Sequence, residues 1–228
     1  WTRGTQTLKT GVYEGKFFNG ERNGHGIFVA KNGDRYDGEW KNDMYGGQGT
    51  MFYSDGSQFQ GEYRDNMKNG TGTMFYANGC RYQGEYRNDK KHGKGKFFSS
   101  AGQFASDIYE GEYRDGKMNG QGVFIWAHGG RYEGEFTSDI LNGQGRYDTP
   151  DGRCFVGHWD HGYIEKGNFM DMSGRQFLFQ LRERKHPAQL DQATDFQTLI
   201  PVQVPVAAAP APVFTVAPAA AFTATPTR

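Results

Sequence analysis

Five glutamates recur between a glycine and an aromatic residue, at Glu39, Glu62, Glu85, Glu112 and Glu135. Regularly spaced carboxylates are the equipment of glycoside hydrolysis, which needs two of them facing one substrate with one pKa raised. The neighbours argue against it. A mostly basic position follows two residues later (Lys41, Arg64, Arg87, Arg114), and on stacked strands successive glutamates would stand roughly 10 Å apart on an open face. The expected arrangement is a solvated ladder of opposite charges, worth about 0.2–1 kcal/mol per pair. The histidines (His25, His92, His128, His158, His161, His186) share no repeated position, and the local cluster of His158, Asp160 and His161 lacks a further ligand at zinc spacing. Gly-x-Gly triplets such as Gly24-His25-Gly26 cradle phosphate where they open a helix, whereas here they sit between strand-like runs. No catalytic, cofactor-binding or metal-binding residue is expected, and no enzymatic activity. Cys80 and Cys154 lie three repeat units apart, roughly 30 Å on a stack of strands and too far to bridge. Free thiols fit a reducing compartment and point to the cytoplasm.

The frame that must position these residues is periodic. Glycines recur as Gly15, Gly24, Gly26, Gly33, then Gly38, Gly47, Gly49, Gly56, and the same offsets return from Gly61, Gly84, Gly111 and Gly134. The period is 23 residues, broken once by the insertion Ala105 to Ile108. A fixed period of this size means stacked supersecondary units. Each unit opens with two aromatics flanking a central glycine: Tyr13 to Phe17, Tyr36 to Trp40, Phe59 to Tyr63, Tyr82 to Tyr86, Tyr109 to Tyr113 and Tyr132 to Phe136. In a strand the two rings and the glycine share one face while the charged residues project from the other. Gly-x-Gly followed by an apolar run, as in Gly72-Thr-Met-Phe-Tyr76, reads as a second strand, closed by turn dipeptides such as Asn32-Gly33, Asp55-Gly56 and Asn78-Gly79.

Glycine weakens a strand, so its place between two rings needs a cause. The expected cause is space: without a side chain, rings of neighbouring units lie over the backbone in a row that replaces a thick core. A helical alternative fails because each interior glycine would cost about 1 kcal/mol and no 3.6-residue apolar period is present. The predicted fold is all-β, an elongated single-layer antiparallel β-meander with a disordered C-terminal tail. About fourteen strands would give a rod on the order of 65 Å long.

The string aromatic-x-Gly-Glu-aromatic, continued by Gly-x-Gly and then Asp/Asn-Gly, resembles the membrane occupation and recognition nexus (MORN) repeat. The resemblance covers about Tyr13 to Gln176, with six regular copies and a degenerate seventh, Phe155-Val-Gly-His-Trp159, in which His158 replaces the glutamate. It implies a MORN-repeat rod that acts as a non-enzymatic scaffold or adaptor, docking partner proteins at cytoskeletal structures, in cilia or flagella, or at membranes. It also implies two alternatives, a phosphoinositide-binding peripheral membrane protein and a targeting fragment of a larger MORN-containing enzyme. Some arrays associate through their ends, which adds a homodimer to the expectations.

Four segments follow: a lead-in over residues 1–12, the array over 13–176, a cap over 177–187 that reads equally as a strand or a short helix, and a Pro/Ala-rich tail over 188–228. Pro201, Pro205, Pro210, Pro212, Pro218 and Pro226 interrupt the uncharged tail, so it reads as an extended arm and not a membrane span. Its removal is expected to leave the fold intact. Charge is balanced, 26 basic against 26 acidic residues, which speaks against a nucleic-acid partner. The candidate docking face is the aromatic row Tyr36, Trp40, Tyr63, Tyr82, Tyr86, Tyr109, Tyr113, Tyr132 and Trp159, in which packing of ring on ring competes with a groove that accepts a partner helix or peptide. Candidate contacts to an anionic phospholipid are Lys41, Arg64, Arg87 and Arg114 with Arg182, Arg184 and Lys185.

Overall fold

A computed structural model describes residues 1–100, 106–191 and 196–201. One open antiparallel sheet of seventeen strands runs through them, each strand pairing with the next in sequence. The strands are β1 (Thr2–Leu8), β2 (Gly11–Phe18), β3 (Glu21–Ala30), β4 (Arg35–Lys41), β5 (Met44–Phe52), β6 (Gln58–Arg64), β7 (Met67–Phe75), β8 (Arg81–Arg87) and β9 (Lys90–Phe98). They continue as β10 (Ile108–Arg114), β11 (Lys117–Ile125), β12 (Arg131–Thr137), β13 (Ile140–Asp148), β14 (Cys154–Asp160), β15 (Tyr163–Met170), β16 (Gln176–Lys185) and β17 (Phe196–Pro201), with one helical turn, α1 (Pro187–Leu190), before β17. The lead-in is thus a strand of the sheet, with Thr2 facing Phe17 and Leu8 facing Gly11. The cap is a strand followed by a helical turn. The tail starts later than its composition implies, since α1 and β17 carry ordered structure to residue 201, and the arm expected over 202–228 lies outside the described residues.

The expected Asx-Gly turns close each second strand, with Gly33, Gly56 and Gly79 at φ +94°, +89° and +84°, while the turns inside each unit lie elsewhere than the glycine pattern implies. Each first strand ends in a two-residue turn such as Asn42-Asp43, Asp65-Asn66, Asn88-Asp89 or Ser138-Asp139, with φ between +49° and +71° at these positions. Asn and Asp tolerate this left-handed region, which a tight hairpin requires at both central residues. The second strand therefore begins immediately after the turn, and Gly-x-Gly lies in its middle as a bulge. Gly38 faces Gly49, yet Trp40 faces Tyr45, so a single residue of β4 opposes three of β5. Between units the register is unbroken, from Gly24 facing Trp40 to Val29 facing Arg35.

The core is the aromatic row, and the glycines make room for it. Tyr13, Tyr36, Tyr82, Tyr109 and Tyr132 lie over the paired glycines, and their hydroxyls donate to the carbonyl three residues on at 2.8–3.1 Å. Rings of successive units meet edge to face, Tyr36 with Tyr63 at 5.2 Å, Phe59 with Tyr86 at 5.0 Å, Tyr82 with Tyr113 at 5.1 Å and Tyr109 with Phe136 at 5.0 Å. Edge-to-face pairs within units complete an unbroken chain of rings from Tyr13 to Trp159. Each such pair contributes about 0.5–1.5 kcal/mol beyond its buried area.

Candidate docking groove

Tyr36, Trp40, Tyr63, Tyr82, Tyr86, Tyr109, Tyr113, Tyr132 and Trp159 are all buried, none more than 6% exposed. They are the floor of the candidate surface and cannot themselves be its contact face. Burial raises the phenol pKa of every tyrosine among them. What a partner would touch comes from the second strands, whose residues stand opposite the rings on the same side of the sheet: Met51 faces Tyr36 and Phe97 faces Tyr82. Tyr45, Tyr53, Met74, Tyr76, Phe97, Phe124 and Trp126 are all partly exposed there, packed against the buried row.

The first inward-facing residue after each Asn/Asp turn forms a column across this surface. It reads Arg22, Tyr45, Lys68, Lys91, Met118, Leu141, Ile164. Two lysines thus stand on an aromatic bed in mid-rod. The Lys68 ammonium lies 5.3 Å from the Phe59 ring centroid and 5.8 Å from that of Tyr86, and it donates to the Tyr53 hydroxyl at 3.3 Å. The Lys91 ammonium lies 4.6 Å from Phe97, 4.9 Å from Tyr82, 5.6 Å from Tyr113 and 5.8 Å from Tyr76. Burial pulls both lysine pKa values down, opposed by the more distant Asp89 and Asp139. A groove of about 280 Å³ runs between them, lined by Lys68, Met74, Tyr76, Tyr86, Lys91 and Gly116 among others. Sequence reasoning missed both lysines. The signal available to it was a cation at a repeat position that elsewhere holds Tyr45, Met118 or Leu141.

At its C-terminal end the same surface is covered by the chain itself. Leu190 of α1 is fully buried, in one cluster with Leu141, Ile164 and Trp159. The Asp191 carboxylate accepts from the Tyr147 hydroxyl at 2.7 Å and lies 3.2 Å from His128 Nε2, while the Arg153 guanidinium donates to the Asp191 carbonyl. Tyr147 holds the repeat position of Met74 and Phe97, and it is buried where they are open.

The outer face corrects the expected charge ladder. Among the described residues no ion pair joins the repeated glutamates to Lys41, Arg64, Arg87 or Arg114. The glutamates fold back over the bulge, where Oε1 of Glu62, Glu85 and Glu135 accepts the N–H of Thr71, Lys94 and Gln144 at 2.8–2.9 Å. The Thr71 hydroxyl adds a further bond to Glu62 at 2.7 Å, and these bonds hold the Glu62 carboxyl below the usual carboxylate range. A side chain at Gly70, φ +107°, would meet that carboxyl at 2.6 Å, so glycine is required there on both counts. Lys41, Arg64, Arg87 and Arg114 are exposed, and Arg64 bonds Asn69. At the C-terminal end Arg182 is exposed, Lys185 is half-buried, and Arg184 is tied to the Asp160 carboxylate and to its carbonyl at 2.9 Å. His161 bonds the same Asp160, and no group of three metal-ligating side chains occurs among the described residues. Both cysteines are free and buried.

No curated protein matches this chain. Among solved structures it is similar to the TCP domain of SAS-4 (dCPAP) of Drosophila melanogaster in complex with a proline-rich motif of Ana2 (dSTIL), at 12% identity over 77% of this chain and 88% of that one, with a TM-score of 0.42. The wild-type TCP10 domain of Danio rerio CPAP aligns at 14% identity over 81% of this chain and 95% of that one, with a TM-score of 0.27. These superpositions are too loose to carry a partner or a function across. The repeats themselves match the MORN repeat at residues 13–35, 36–58, 59–81, 82–104, 109–131 and 132–152, and the chain belongs to that family.

Proposed function

We propose that this repeat scaffold docks a segment of a partner protein in the groove over its second strands, in cytoplasmic assembly at cytoskeletal, ciliary or membrane-associated structures. The observation that supports this most directly is the groove's use by the chain's own C-terminal turn: Asp191 is held there by Tyr147 and His128 next to the buried Leu190, and the equivalent surface over Met51, Met74 and Phe97 is only half-buried. The test is selection of binders from a displayed library of 16-residue peptides on the full chain. Binding of the selected peptides is expected to be lost in a Tyr76→Ala/Phe97→Ala variant and kept in an Arg64→Ala/Arg87→Ala/Arg114→Ala variant; the reverse pattern would overturn the proposal.

A second reading has one observation in its favour. Because the glutamates bond backbone and not the basic column, Lys41, Arg64, Arg87 and Arg114 face solvent on the outer side, where they could meet an anionic phospholipid. Sedimentation with phosphoinositide vesicles at physiological salt, lost in the triple-arginine variant, would put this reading first.

A further inference from the structure

We propose that the groove selects a partner segment by an acidic side chain that seats on Lys91 over Gly116, beside an apolar anchor. The inference rests on the docking function proposed for the same groove and names the chemistry of what docks there.

The argument comes from comparing one position down the repeats. In most units the second residue of the hairpin turn reaches back to the column residue of the unit before. Its N–H donates to that residue's carbonyl and its side chain accepts that residue's N–H: Asp43 to Arg22, Asn66 to Tyr45, Asp89 to Lys68, Asp139 to Met118. Where the column residue is Arg22, the acid also neutralises it, with Asp43 Oδ1 2.9 Å from Arg22 Nε. At Lys91 the turn residue is Gly116. Its N–H keeps the bond to the Lys91 carbonyl at 2.9 Å, but no side chain is there, and a Cβ built on it would meet nothing within 4 Å. Thus the most ring-enclosed cation of the rod faces an opening where four sister units carry Asp or Asn; among the described residues the other glycine that makes this bond, Gly162, makes it to the uncharged Leu141.

Among the described residues no carboxylate is in ion-pair contact with Lys91. Asp89, the acid in the groove's lining, and Asp139, whose charge also acts on Lys91, are engaged by the N–H groups of Lys68 and Met118 at 2.9 Å and 2.8 Å. Lys68, Lys90 and Asp89 line the same groove with Lys91, so its net charge is positive and favours an anion. The rings attract the ammonium through their faces, and an incoming carboxylate adds opposite charge and a charge-assisted hydrogen bond to a cation held partly out of water. The chain's own occupant of the groove shows the matching pattern: a buried aliphatic residue, Leu190, followed by an acid, Asp191, bound by the groove's polar groups. At that end of the rod the column is aliphatic, Leu141 and Ile164. In the open part it is Lys68 and Lys91.

The test uses the peptides selected above on the full chain. Groove binders are expected to carry Asp or Glu next to an aliphatic or aromatic residue, and conversion of that acid to its amide should weaken binding about tenfold or more in fluorescence anisotropy. Lys91→Met should cause a comparable loss, Lys91→Arg should retain binding, and Gly116→Asp should weaken it by filling the opening and setting a carboxylate near Lys91, as Asp89 stands near Lys68. Met and Asp occupy these positions in neighbouring units, as Met118 and Asp89, the latter at φ +65° against +91° at Gly116, so both variants are expected to fold, which matched thermal unfolding checks. The two losses must also be non-additive: the amide peptide should bind wild type and Lys91→Met alike. Binders without an acid, or acid-dependent binders indifferent to Lys91→Met and Gly116→Asp, overturn the inference and leave the docking function intact. Failure to select any groove binder overturns both.

Discussion

Gly84→Ala adds one methyl group to the middle of the rod, and its effect follows from three distances. Gly84 faces Gly95 across β8 and β9. A Cβ at Gly84 would stand 2.5 Å from the Gly95 Cα, 2.6 Å from the Lys94 carbonyl oxygen and 2.6 Å from the Tyr82 hydroxyl. Two of the three are backbone of the paired strand, so relief means parting the strands or expelling the ring. Expelling Tyr82 breaks its edge-to-face contacts with Tyr86 at 5.2 Å and Tyr113 at 5.1 Å and its bond to the Glu85 carbonyl at 3.0 Å. At about 0.5–1.5 kcal/mol per ring pair and about 1 kcal/mol for the buried hydrogen bond, the loss is about 2–4 kcal/mol. In a chain of this size that lowers the melting temperature by roughly 5–15 °C. Thermal unfolding followed by circular dichroism measures it, with Gly4→Ala as the control. A Cβ at Gly4 comes no closer than 3.9 Å to the Phe17 ring, and its effect should stay within about 0.5 kcal/mol. Because each unit contacts only its neighbours, hydrogen exchange in Gly84→Ala should accelerate first in β8 to β10. An unchanged melting temperature for Gly84→Ala would refute the view that the glycine columns exist to admit the rings.

The buried tyrosines give a pH signature. Burial raises their pKa, so the neutral phenol is stabilised by folding; that stability is complete below the ordinary phenol value near 10 and is lost as pH rises above it. Phenolate absorbance of Tyr82, Tyr109 and the rest of the row should therefore appear only together with loss of β circular dichroism at alkaline pH, and ionisation of the row in a folded chain would contradict the burial. Ending the chain after His186 removes Leu190 and the Asp191 contacts, and it should destabilise the last repeats by about 1.5–3 kcal/mol from the leucine alone. An unchanged melting curve would mean that the α1 contacts add nothing.

The sheet and its rings were legible because glycine and aromatic residues can satisfy their positions in few ways. The buried hydroxyls of Tyr82 and Tyr109 over their glycines are what the aromatic-x-Gly spacing implies. The turns inside each unit are less legible: Asn42-Asp43 and Asn88-Asp89 carry no glycine, so the glycine pattern marks neither them nor the bulge that follows. The role of Glu62 was hidden for the same reason, since its carboxylate finds the Thr71 N–H only when one residue opposes three. The cap defeats pattern reading outright. Four residues of helix between Lys185 and Asp191 have no period to detect, and the proline-rich composition beyond masks the buried Leu190.

The two kinds of column on the groove side explain how such a rod acquires specificity. The ring position is Tyr or Phe in every unit, Tyr13, Tyr36, Phe59, Tyr82, Tyr109, Tyr132 and Phe155, because it must fill the space over two glycines. The column after the turn runs from Arg22 through Tyr45, Lys68, Lys91 and Met118 to Leu141 and Ile164; from Arg22 to Leu141 its backbone pairing is the same whatever its side chain, since the turn residue's N–H finds the carbonyl in each case. Variation there costs the fold little and changes what the groove meets. An array whose packing depends on one column and whose surface chemistry depends on another can keep its register while its groove changes from unit to unit, and the lysines of the open middle and the aliphatics of the covered end are that division within one chain.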